Sequence, residues 1–183
     1  MKIFLLGVKH AGKTTVGKFL AQISGFSFFD LDKEIEDRNG TSVRDLYKNM
    51  GKSFFMKEEA IECSIISKGT GNSVVSTGGG ISDNGEALKI IKDCGVSVFL
   101  DIPFDTVWQR IAEKAEKTGS LPGFLSPDNP KEQFREIYDR RRKIYLDFSD
   151  YVFSIQEKDC LPDSKTIAEK LYNMLIKKNP PEI

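Results

Sequence analysis

The residues Gly7-Val8-Lys9-His10-Ala11-Gly12-Lys13-Thr14 carry the strongest chemical signal in the chain. They fit the pattern G-x-x-x-x-G-K-[ST], and they stand between the apolar run Ile3-Phe4-Leu5-Leu6 and a stretch of helical periodicity. Glycines let backbone N–H groups curl round an anion, and the helix that follows adds the partial positive charge of its N-terminus. In that arrangement Gly7, Ala11, Gly12, Lys13, Thr14 and Thr15 cradle the phosphates of a nucleoside triphosphate. Lys13 bridges the β- and γ-phosphates and the Thr14 hydroxyl holds Mg²⁺. His10, the single histidine, is read as an outward-pointing side chain of the loop wall.

Three other groups could serve an acceptor. Asp30-Leu31-Asp32 closes the second apolar segment. In extended geometry residues i and i+2 point the same way, so one carboxylate could serve Mg²⁺ through water while the other takes a proton from an acceptor hydroxyl. The same pair could equally cap a helix running through Ile35. Gly78-Gly79-Gly80 loses conformational entropy and packs nothing, which points to close backbone approach to a ligand. Arg140-Arg141-Arg142-Lys143 is a basic run on a helix, and a helix turns at most one or two of the four cations towards a cleft. The preceding residues 119–130 are polar and without helical pattern, as in a mobile lid, and a cation after a lid suits phosphoryl transfer.

The elements that must position these groups alternate in type. Strands are expected at 3–6, 27–29, 74–76, 96–100 and 151–155. Helices are expected at 13–23, 43–49 (with Ser42 as N-cap), 54–67, 86–92, 106–117, 134–146 and 164–177; residues 178–183, with Pro180-Pro181, should fray. Alternating strands and helices predict an α/β fold with a parallel sheet covered on both faces and ligands beyond the strand C-termini. The phosphate loop, the Asp pair and the glycine triplet follow strands one, two and three, so they gather at one edge.

A length of 183 residues suits a single domain, 1–183. Lys+Arg and Asp+Glu are equal at 27 each, which disfavours binding of nucleic acid or an anionic membrane through overall charge. Cys63, Cys94 and Cys160 form no C-x-x-C pair, so zinc-ribbon and thioredoxin-like chemistry are excluded and a reduced, cytoplasmic setting is expected. The apolar run at 3–6 is too short for a signal peptide or a membrane span. Size and neutral charge permit a monomer.

Taken together, the loop Gly7 to Thr14, Phe29-Asp30-Leu31-Asp32, Val75-Ser76-Thr77-Gly78-Gly79-Gly80 and Arg141-Arg142-Lys143-Ile144-Tyr145 resemble the shikimate kinase family over roughly Lys2 to Leu175. The resemblance implies a three-layer α/β/α P-loop kinase fold with a five-stranded parallel sheet in the order 2-3-1-4-5. It also implies a substrate-binding helical region at about 31–69 and a lid at about 117–130. It implies transfer of the ATP γ-phosphate to the 3-hydroxyl of shikimate with Mg²⁺. By motif, Lys13 and Thr14 hold phosphates and metal, and Asp30 supports the metal. Asp32 binds the acceptor hydroxyls as base, Gly78, Gly79 and Gly80 line the acceptor pocket, Arg141 grips the shikimate carboxylate and Arg110 lies against adenine. The chain departs from the family at three places. Met56 stands where a second carboxylate-binding arginine is usual, Leu121 where the lid arginine is usual, and His10 where glycine is usual. Lys52, Lys57 and Lys117 are candidate replacements, as point charges rather than forks. These departures leave open a related kinase acting on another small polyol or hydroxy acid, and a catalytically silent nucleotide-binding relative.

Overall fold

The computed structural model describes residues 1–155 and 162–177. Five strands, β1 (Lys2–Leu6), β2 (Ser27–Asp30), β3 (Ser73–Ser76), β4 (Val96–Asp101) and β5 (Tyr151–Ser154), form one parallel sheet in the order β2-β3-β1-β4-β5. The expected fold class and strand order are both borne out. β1 is buried throughout, because it is central and covered on both faces, and its apolar run needs no alternation. The edge strands β2 and β5 are only partly buried.

The helices are α1 (Lys13–Ser24), α2 (Leu31–Asn39), α3 (Val43–Lys68), α4 (Gly85–Cys94), α5 (Phe104–Thr118), α6 (Pro130–Phe148) and α7 (Ser164–Tyr172), the last continued by a π-helical turn, Asn173–Lys177. α1 packs with α7, and α3 packs with α4. Ser42 caps α3 through a bond accepted from Asp45 N at 3.1 Å, as expected. Gly51 lies inside α3 with φ 82° and ψ 171°, a break only glycine adopts easily, so the two helices read at 43–49 and 54–67 are joined end to end across a kink.

The helix through Ile35 that the Asp pair could cap is present as α2, with Asp30 at its N-cap position, while a 3-10 turn at Ile81–Asp83 escaped the sequence reading. Residues 120–129 join α5 to α6 without helix or strand. The expected fraying of 178–183 and the third cysteine, Cys160, lie outside the described residues, while Cys63 and Cys94 are free thiols.

α1 is pressed tightly against the sheet. A Cβ added at Gly17 would stand 2.7 Å from Phe28 Cε2 and 3.2 Å from Leu5 Cδ1. Gly17→Ala is therefore expected to cost about 1–3 kcal/mol by overpacking. A lowered urea midpoint at unchanged m-value would bear this out, and an unchanged midpoint would show that α1 has room to shift.

Candidate active site

β1 and β3 are parallel neighbours in register, Leu5 opposite Ser76, and they stop together. The Thr77 hydroxyl donates to Leu5 O at 2.9 Å, tying the two strand ends. The loop after β1 and the glycines after β3 are consequently in contact. A Cβ on Gly79 would lie 2.6 Å from Lys9 N and 2.9 Å from Lys9 Cα, which are backbone atoms and cannot swing aside. Glycine is required there by that approach.

Within the phosphate loop, Gly7 (φ 149°) and Gly12 (φ 94°) take up conformations that L side chains avoid. The buried Lys13 donates from Nζ to Gly7 O at 2.8 Å and Val8 O at 3.0 Å. Burial lowers its pKa to about 8 against the opposing pull of Asp32 and Asp30. The Thr14 hydroxyl donates to Asp30 Oδ2 at 2.8 Å and lies 3.1 Å from Ser76 Oγ. Thr15 is exposed on the outer side of α1. Arg110 donates from Nη1 to His10 O at 2.8 Å, which places it on the outside of the loop. His10 has φ 64°, a left-handed conformation natural to glycine. Desolvation first, and then Lys114, Lys9, Lys13 and Arg110, lower its pKa to about 4, so its ring is neutral at pH 7 and free of any charge role.

The extended i, i+2 alternation expected for Asp30 and Asp32 is not how the pair is arranged. β2 ends at Asp30, and Asp32 stands in the first turn of α2. Asp30 occupies the N-cap position yet makes no capping bond, because its carboxylate is turned to Thr14. A cleft of about 460 Å³ opens beside Thr14, Asp30 and Asp32, with Lys18 and Glu36 on its wall. The Asp32 pKa is raised, chiefly by burial, while Lys13 draws it down.

Beyond Asp32, the glycine triplet is hemmed in by charge. A Cβ on Gly78 would stand 2.9 Å from Asp32 Oδ1 and 3.0 Å from Glu59 Oε1, and one on Gly80 would stand 3.1 Å from Arg141 Nη2. Arg141 donates to Gly79 O at 2.9 Å and to Asp83 Oδ2 at 3.0 Å. Asp83 is gripped from the other side by Arg140, whereas Arg142 is bound to the buried Asp101 at 2.7 and 2.8 Å. One cation of the basic run therefore faces the glycine triplet, as the helical geometry requires. Asp83 and Asn84, which hold this wall, were not found in the sequence, since a lone acid or amide after a glycine run has no distinguishing pattern.

Glu59 is 2% exposed, and its Oε2 accepts one bond from Asn84 Nδ2 at 2.8 Å. Asn84 Nδ2 also donates to Met56 O. Burial raises the Glu59 pKa to about 7, and the Asn84 bond opposes the shift. The folded state thus holds this proton more tightly than the unfolded chain. The resulting stabilisation is complete below pH 4.5 and is lost as pH rises through 7. Glu59→Gln should leave the urea midpoint near wild type at pH 4.5 and raise stability by about 1–3 kcal/mol at pH 8; equal midpoints at both pH values would remove Glu59 as a titrating group.

The family model described as Shikimate kinase matches residues 9–175. A shikimate kinase from Persephonella marina is 38% identical over 145 residues, covering 78% of this chain and 82% of the relative. One from Aquifex aeolicus is 34% identical over 145 residues, covering 79% of this chain and 82% of the relative. Among solved structures, shikimate kinase from Acinetobacter baumannii in complex with shikimate superposes with a TM-score of 0.84 at 24% identity, covering 98% of this chain and 95% of that one. Shikimate kinase from Aquifex aeolicus superposes with a TM-score of 0.74 at 28% identity, covering 96% of both chains.

Proposed function

The chain belongs to the shikimate kinase family of ATP-dependent phosphotransferases, and from that premise we propose that its cleft transfers the γ-phosphate of ATP to the 3-hydroxyl of shikimate, a step of aromatic amino-acid biosynthesis. The observation that carries this reading is the position of Lys13, whose buried ammonium feels both Asp30 and Asp32. It stands between the loop that binds phosphate and the carboxylate that would receive the acceptor's proton.

In this reading Gly7, Ala11, Gly12, Lys13, Thr14 and Thr15 hold the phosphates, and Arg110, already tied to the loop, lies against the base. Thr14 and Asp30 would hold Mg²⁺. Their donors are hard oxygens, and Ser76 adds a third within 3.1 Å of Thr14. Among the described residues no cluster of three or more His, Cys, Asp or Glu could hold a metal alone. This fits Mg²⁺, which is usually bound through one or two carboxylates plus phosphate oxygens. Bound there, it would supply charge neutralisation for the phosphates. Asp32 takes the proton of the acceptor hydroxyl as that oxygen bonds to the γ-phosphorus and the bond to the bridging oxygen of ADP breaks. Its raised pKa makes it a stronger base than an exposed aspartate. Lys13 neutralises charge on the transferred group. Gly78, Gly79 and Gly80 admit the acceptor against the backbone, and Arg141 binds its carboxylate.

Residues 31–69, which span α2 and α3, form the substrate-binding region, and residues 117–130 the lid. The protein acts as a cytoplasmic monomer, with ATP and the acceptor as partners and no nucleic acid. Among the described residues no helix is long and apolar enough to cross a membrane.

Coupled ADP-release kinetics test the assignment. Turnover should require shikimate, and Asp32→Asn should lower kcat by about 10²–10⁴-fold with the KM for ATP little changed. Shikimate-independent ADP release, equal in wild type and variant, would contradict it. Limited proteolysis tests the lid: cleavage within residues 119–130 should slow when nucleotide and shikimate are both present, and an unchanged rate would show that this segment does not close.

A further inference from the structure

The acceptor wall contains a cation that the family pattern does not predict. Lys9 belongs to the variable part of the phosphate loop, but its backbone is pinned against Gly79. A Cβ there would meet Lys9 N at 2.6 Å, Cα at 2.9 Å and Cβ at 3.2 Å. Arg141 reaches the same glycine through its carbonyl oxygen at 2.9 Å. The backbone of Lys9 and the guanidinium of Arg141 therefore meet at one glycine from different elements, the β1–α1 loop and α6.

Their charges are differently balanced. Arg141 shares Asp83 with Arg140. Among the described residues Lys9 has no ion-pair or hydrogen-bond partner for its Nζ, which stands 5.8 Å from the centre of the Phe124 ring. Phe124 lies in the segment between α5 and α6, so the Lys9 ammonium stands beside that segment. The charged groups around it are Asp32, which attracts it, and Lys114 and Arg44, which repel it. Desolvation and these two cations lower its pKa, so the setting favours an incoming anion. Lys52, Lys57 and Lys117, the replacements suggested by the sequence, are exposed and make no ion pair or hydrogen bond among the described residues; the Lys9 side chain is exposed and unpaired as well, and what sets it apart is its backbone, held against Gly79.

We infer that Lys9 is the second cation of the acceptor pocket, which with Arg141 binds the acceptor's carboxylate on either side of Gly79 and sets the preference for an anionic acceptor. The inference rests on the proposed shikimate kinase reading. Lys9 does the work of a point charge where Met56 has removed a planar fork, so it recognises charge more than carboxylate geometry.

Lys9→Met, Lys9→Arg and Lys114→Met separate the possibilities when assayed with shikimate and with its uncharged methyl ester. Binding of each to the nucleotide-loaded protein is followed in parallel by calorimetry. Lys9→Met is expected to weaken shikimate binding and raise its KM by about tenfold to a hundredfold, the effect of one lost charge-assisted bond. The methyl ester and ATP should change by less than about twofold, and Lys9→Arg should recover most of the loss. Equal losses for shikimate and its ester would make Lys9 a support of the loop and overturn the assignment. A similar loss in Lys114→Met would assign the effect to the general field of the cleft and also overturn it. Wild-type turnover of shikimate with Lys9→Met unchanged would defeat the Lys9 assignment alone. Shikimate that neither binds to nor is phosphorylated by wild type would defeat the functional reading and this assignment with it.

Discussion

The parallel pairing of β1 with β3 is the constraint on which the rest depends. Because the two strands lie side by side and stop at the same level, the phosphate loop and the glycine triplet leave the sheet at the same place. The Thr77–Leu5 bond and the Gly79–Lys9 approach lock those segments together. Phosphoryl transfer between two bound molecules needs donor and acceptor within bonding reach, and holding them so can supply a large part of the rate. Here that proximity is built into strand order before any catalytic side chain is considered.

Around this junction the charges are arranged by burial. Lys13 is kept in a dry setting where its ammonium is worth more to a phosphate than it would be in water. Asp32 and Glu59 flank Gly78, and burial pushes the pKa of both upward. They differ in their partners. Asp32 has Lys13 to favour its ionised form, whereas Glu59 has the neutral Asn84. The wall beside Met56 and Glu59 is held by the Asn84 amide, and Arg141 brings positive charge to Gly79.

Much of this was legible in the sequence because it rests on local pattern. A G-x-x-x-x-G-K-T run between a strand and a helix specifies both a conformation and a ligand, and the short apolar runs gave the five strands. Asp30 and Asp32 were found as a pair with two geometries open, and the fold takes the helical one: α2 begins between them, and its two buried apolar residues are too few to show a helical stripe that would have decided the matter. Asp83 and Asn84 were not found, since each is placed only through contacts with distant residues such as Arg141 and Met56. No spacing rule reports that α6 returns to the end of β3. Lys52 and Lys57, near Met56 in the chain, are exposed in the fold.

The most direct test of the central claim, that this junction passes phosphate to an alcohol rather than to water, is ³¹P NMR of the protein with Mg²⁺, ATP and shikimate. A phosphomonoester resonance coupled to the proton on C3 of shikimate, growing as the γ-phosphate of ATP disappears, is the predicted result. Appearance of the lost γ-phosphate only as inorganic phosphate, or as an ester at another hydroxyl, would contradict it.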